Sequence, residues 1–231
     1  MHSPWLTLFV ALALSPAAWA SPHADLAPLT TVGTTAKYRV TTVEPGNSPL
    51  VAEEEWKVAE VKGFGPGHLV TIVITDLDSS GEPAGDRQVE YVVHGTKFYD
   101  VSRLERGSRA PDLSPEAIPT WLPLFDVAKL SKPEVTRYPD NPLAYVRHEV
   151  QPEFKLDSGT AYKGVVHATR NRGDTETTDE WWYSPKDGVL RIQLQLPSIA
   201  GGAKITWERL GGAPAAEPAP KKAKEKSKKK P

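Results

Sequence analysis

Apolar and polar residues alternate with period two along most of the chain, the pattern of β-strands with one buried face. Leu190, Ile192, Leu194 and Leu196 are spaced by Arg191, Gln193 and Gln195, and Ala203, Ile205 and Trp207 by Lys204 and Thr206. Val89, Tyr91 and Val93 repeat the spacing, as do Ala36, Tyr38 and Val40, and Trp56 and Val58 between Glu55 and Ala59. Segments 67–76, 143–150, 161–168 and 175–183 are rich in Val, Ile, Thr, Tyr and Trp, residues that fit a pleated surface. Turn-forming clusters separate these runs: Glu44-Pro45-Gly46-Asn47, Asn171-Arg172-Gly173-Asp174 and Pro185-Lys186-Asp187-Gly188. No helix-length amphipathic segment lies between strands to support parallel crossovers, so the connections are hairpins. The predicted fold is all-β: an antiparallel open barrel or sandwich of about ten strands with one or two short helices.

One stretch interrupts the pattern. Between Ser108 and Pro123 lie Pro111, Pro115, Pro119 and Pro123, around Ile118, Trp121, Leu122, Leu124 and Phe125. Ser114 can cap a helix that has Pro115 at its first position, and a second helical piece is expected from Leu124 to Leu130. Two readings stay open: a connection whose apolar residues close one end of the core, or a lid (113–130) over a cavity between curved sheets.

The two ends differ from the body. Leu6 to Leu14 is apolar apart from Thr7, then come Ser15-Pro16 and Ala18-Trp19-Ala20. A short apolar run, a helix-breaking proline and small residues three apart describe a signal peptide cleaved after Ala20, although no Lys or Arg precedes the run. Trp5 to Ala20 is shorter than the roughly twenty residues that span a bilayer, and no other segment is apolar enough. The expected division is signal peptide 1–20, flexible N-terminal segment 21–33, one β-rich domain 34–210 and a disordered Pro/Ala/Lys-rich tail 211–231. The expected location is the periplasm or the exterior.

Charge and composition narrow the chemistry. The formal net charge is −1, but seven lysines stand against Glu217 and Glu225 after position 211, so the body is acidic. An acidic body argues against a nucleic-acid partner, which requires a clustered positive surface. The lysine tail would suit an anionic envelope surface, or would fold back on the acidic body. The absence of cysteine excludes disulfides, thiolate metal sites and a cysteine nucleophile. Asp76, Asp78, Ser80 and Gly81 match the first half of a calcium loop, but position twelve is Arg87 instead of a bidentate glutamate, so a hairpin is expected there. His68, His94, His148 and His167 lack the short spacings of metal ligands. No nucleophile elbow, phosphate loop or dinucleotide fingerprint occurs. The chain is therefore read as a non-enzyme with no cofactor and no metal.

The most distinctive motif is Trp181-Trp182-Tyr183-Ser184-Pro185-Lys186-Asp187-Gly188-Val189-Leu190. In a strand, Trp181 and Tyr183 face one side and Trp182 the other, so large rings lie on both sheet faces. This hairpin, behind a signal peptide and a run of antiparallel strands, resembles a set of uncharacterised exported bacterial β-rich proteins. Their layout is similar to the periplasmic lipoprotein-carrier (Lol-type) fold, an open barrel whose short helices cover an apolar concavity. The resemblance implies a fold class and an apolar ligand, and transfers no catalytic residue. The expected function is an exported cell-envelope binding protein that holds a lipid or other apolar molecule, lined by Trp56, Tyr91, Trp121, Phe125, Trp182 and the even-numbered leucines of 190–196. The alternative is a non-enzymatic structural or accessory protein of the envelope or secretion machinery, acting through its surface and lysine tail.

Overall fold

Each strand turns back beside the one before it. In the computed structural model, which describes residues 23–101, 122–128, 132–138, 141–173 and 177–211, the order is β1 (Thr35–Val43), β2 (Leu50–Phe64), β3 (Gly67–Leu77), β4 (Pro83–His94), β5 (Lys97–Asp100) and β6 (Phe125–Asp126). The second half follows as β7 (Glu134–Tyr138), β8 (Asn141–Lys155), β9 (Ala161–Arg172), β10 (Thr178–Ser184), β11 (Gly188–Gln195) and β12 (Lys204–Arg209). All pairings are antiparallel, and β12 returns to β1, joining the halves into one twelve-stranded sheet ordered β6-β5-β4-β3-β2-β1-β12-β11-β10-β9-β8-β7. Its outer strands β6 and β7 do not pair with each other, so the sheet is open.

The predicted all-β class holds, with two corrections of detail. The described strands number twelve, not about ten, because β5, β6 and β7 are too short or too polar to show alternation. Others are long, reaching fifteen residues in β2 and β8. The helical piece expected from Leu124 is extended instead. Leu124 N–H donates to Phe98 O at 2.7 Å and Val127 N–H to Thr96 O at 2.9 Å, which seats Phe125 against β5. Leu124, Phe125 and Val127 are all buried. The segment 102–121, with Trp121 and the expected Ser114-capped helix, lies outside the described residues, as do residues 1–22 and the tail from 212.

The inner face of the sheet carries the main core. Tyr38, Trp56, Val58, Val70, Ile72, Tyr91, Phe98, Phe125, Trp181, Tyr183 and Ile192 all belong to it. The sheet curls far enough for edge strand β6 to reach the opposite half, where the Phe125 ring stacks on Tyr183 at 4.7 Å and Phe98 at 5.1 Å. Smaller clusters cover the outer face: Leu69, Val92, Tyr99 and Val101 on one half, and Leu156, Val165, Trp182 and Leu190 on the other.

Residues 24–30, placed by sequence in a flexible segment, fold onto one end of this core. A 3-10 turn (Ala24–Leu26) runs into a single helical turn α1 (Ala27–Thr30) with Pro28 near its start, where a missing N–H costs nothing. Leu26 is fully buried and Leu29 nearly so. Tyr183 donates its hydroxyl to Asp25 O at 2.6 Å, and Tyr38 donates to Val189 O at 3.0 Å. Burial pushes the Tyr38 phenol up to about 12 despite nearby Arg209, and pushes Tyr183 up as well, so both remain donors. The N-terminal turn thus plugs one end of the curled sheet.

Candidate functional site

Beyond this plug the described residues leave a space on the inner face. Trp56 and Ile74 from β2 and β3, Arg87, Val89 and Tyr91 from β4, Asp100 from β5, Trp181 from β10, Ile192 from β11 and Trp207 from β12 surround a cavity of about 170 Å³. Register brings them together. Trp56 pairs with Ile74 and Ile74 with Arg87, while Trp207 pairs with Ile192 and Ile192 with Trp181. These rows share one face because side chains two apart on a strand point the same way. The volume is below the roughly 300–1,000 Å³ of drug-sized sites and near the roughly 150 Å³ that admits one benzene ring. Its described walls therefore accommodate a ring or a short, compact apolar group.

A buried carboxylate fixes two of the walls. Glu54 lies one inward step from Trp56 on β2 and is 7% exposed. Its Oε2 accepts the Trp56 indole N–H at 2.9 Å and the Trp207 indole N–H at 3.2 Å, and its Oε1 accepts from Arg87 at 2.6 Å. Arg87 also donates to Asp76 Oδ1 at 2.5 Å. Burial disfavours the Arg87 charge, but the Glu54 and Asp76 carboxylates more than offset this and raise its pKa. The indole N–H of Trp181, by contrast, is buried with no hydrogen-bond partner.

The sequence-predicted residues separate into three groups. Trp56 and Tyr91 are among the residues that line the cavity. Phe125 is wholly buried in the core, 6.0 Å from the Trp181 ring, and is not among the cavity walls. Trp182 faces the other way, stacked on Phe154 at 5.5 Å and on His167 at 4.5 Å. Trp121 lies outside the described residues. The expected run of even-numbered positions on one face is broken by a bulge: Trp182 pairs with Arg191 but Tyr183 with Val189, leaving Leu190 extra. Leu190 therefore joins Trp182 outside while Ile192 joins Trp181 inside. Sequence reading missed Trp181, Trp207, Glu54 and Arg87. Alternation through Ala203, Ile205 and Trp207 was the available signal for Trp207.

Two other motifs resolve into structure. Asp78 caps its own hairpin turn, accepting from the N–H groups of Ser80 at 2.8 Å and Glu82 at 3.0 Å, and from the Ser80 hydroxyl at 2.6 Å. These bonds, the Ser80 hydroxyl first, lower the Asp78 pKa. Asp76 is engaged by Arg87, so the acidic pair serves hairpin and cavity wall. On the outer face His167 lies between Glu149 at 3.2 Å and Glu180 at 3.1 Å over the Trp182 ring. His167, followed by desolvation acting the opposite way, governs Glu149, whose pKa is lowered.

His148 continues the inner row beyond Trp181 through Ala168, and its Nε2 is buried without a partner. Burial, assisted by Lys97 and opposed by Asp126, lowers its pKa from 6.5 to about 4. The unfolded chain therefore gains a proton near pH 6.5 that the folded chain refuses until about pH 4. His148 costs nothing above that window, and its penalty grows as pH falls through it, reaching on the order of 3 kcal/mol. His148→Leu should flatten the pH dependence of urea unfolding between pH 6.5 and 4 relative to the parent. Parallel curves for the two proteins would refute this assignment.

No family model matches the chain, and no curated protein matches it. Similar solved structures include a "putative lipoprotein" from Parabacteroides distasonis, 12% identical over 78% of this chain and 94% of that one, with a TM-score of 0.36. A "putative exported protein with YmcC-like fold" from Bacteroides fragilis is 11% identical over 78% and 95%, with a TM-score of 0.35. A LolA superfamily protein from Nitrosomonas europaea is 12% identical over 81% and 88%, with a TM-score of 0.24. The functional reading rests on the cavity itself.

Proposed function

We propose that the chain is an exported cell-envelope protein that binds an apolar ligand by taking a ring-sized group of it into the inner-face cavity. One observation carries this reading. The inner face is packed by rings beside the plug, where Phe125 stacks on Tyr183 and Phe98, yet the described residues leave a space where Trp56, Tyr91, Trp181 and Trp207 converge. An apolar group entering this part-open space would release water from three indoles and a phenol, which favours its binding. Apolar burial at about 25 cal/mol per Å² lets one buried ring contribute usefully without any ionic contact. Export is read from the apolar run and small residues before Ser21.

The test is native mass spectrometry of the mature protein purified from its envelope fraction, with solvent extraction of whatever travels with it. An apolar molecule released on unfolding is the expected result. A bare protein that also fails to bind neutral apolar probes would overturn the reading. The surface-acting alternative draws on a different observation. Leu50, Val51 and Ile199 are 68%, 62% and 95% exposed at one end of the sheet, where Pro45 adjoins Gly202. It predicts that Leu50→Ser with Val51→Ser abolishes envelope retention while probe binding is untouched.

A further inference from the structure

The polar groups around the cavity bear on the charge of its ligand, an inference that rests on the reading just given. Among the described walls Arg87 is the sole cationic side chain. Its guanidinium is already engaged by Glu54 at 2.6 Å and Asp76 at 2.5 Å. An incoming carboxylate or phosphate that reached the remaining N–H groups of Arg87 would meet the negative charge of both acids. Two carboxylates against one guanidinium leave this corner with a surplus negative charge.

The remaining walls suit the opposite charge. Three indoles and a phenol border a space of about 170 Å³, and aromatic faces attract cations through their quadrupole, indole most strongly. Two of the indoles donate their N–H to the same carboxylate, Glu54. A hydrogen bond to an anion pushes electron density back into the ring, and such polarisation strengthens its attraction for a cation. We propose that the cavity selects an apolar cation, an alkylammonium or quaternary ammonium group, with the charged head among Trp56, Trp207 and Trp181 and the Glu54–Arg87–Asp76 network supplying the surplus negative charge.

The experiment compares three ligands of equal chain length, decyltrimethylammonium, decanol and decanoate, each below its micelle-forming concentration, with tryptophan fluorescence as the readout. The expected order is cation tightest, by about tenfold over decanol, with decanoate weakest. Glu54→Gln keeps the side-chain shape and an acceptor for an indole N–H. It should shrink the cation's preference over decanol from about tenfold to near parity, read as the ratio of the two affinities within the variant. Asp76→Asn, at an exposed position, reads the same effect at about two- to threefold and serves if the Glu54 variant does not fold. Equal binding of all three ligands, tightest binding of decanoate, or an undiminished preference in both variants would overturn the charge assignment while leaving the apolar-ligand reading in place. Binding of none would overturn both.

Discussion

Phe125→Ala should cost about 3–5 kcal/mol of folding stability in a urea melt, the range for a large aromatic removed from a filled core. The ring is fully buried and stacked on Phe98 and Tyr183, so its loss removes contacts from both halves of the curled sheet at once. The same change in a lid over open space would cost little, because such a ring has few close neighbours. The expected large loss, together with unchanged affinity for a neutral apolar probe in the folded fraction, assigns Phe125 to the core. A loss below about 1 kcal/mol would place it over a void instead.

Leu26→Ala and Leu29→Ala form the second large expectation. Each should destabilise by about 2–5 kcal/mol, with Leu29 nearer the lower end because it already borders a small gap beside Tyr38 and Val58. Their effects will not simply add, since both leucines occupy one short plug. Val32→Ala, at an exposed position just beyond the plug, should stay within about 0.5 kcal/mol. If all three variants melt like the parent, residues 24–30 contribute nothing to the fold, and the sequence expectation of a flexible segment is restored.

The body of the fold was legible because period-two alternation is regular in β1, β4, β11 and β12 and β3 is rich in β-branched residues. The N-terminal plug was not. A-D-L-A-P-L-T offers two leucines across a single turn, too short for a helical period to register, and its burial depends on where the sheet end happens to lie. Strand β6 has two residues and exists through its pairing with β5, a tertiary fact that local pattern cannot carry. The site was half legible. Trp56 and Tyr91 lie on clean alternating strands, and their inward direction follows from parity. Trp182 was misplaced because a single bulge at Leu190 shifts the partner of every earlier β10 residue by one, which moves Ile192 beside Trp181. The Glu54 network was invisible for a different reason. Its three donors come from β2, β4 and β12, and no linear spacing relates Arg87 to Trp207.

The central claim is that the inner-face cavity is a chamber that a ligand enters. Val89 lines it from β4, and a strand position accepts phenylalanine readily, so Val89→Phe fills part of the space without disturbing the backbone. The measurement is a titration of parent and variant with the neutral fluorophore N-phenyl-1-naphthylamine, beside a urea melt of each. The account predicts that the parent binds, that the variant binds at least about tenfold more weakly, and that the variant is as stable as the parent or more so. Undiminished binding by the variant, no binding by the parent, or a stability loss of about 1–3 kcal/mol from overpacking would contradict it.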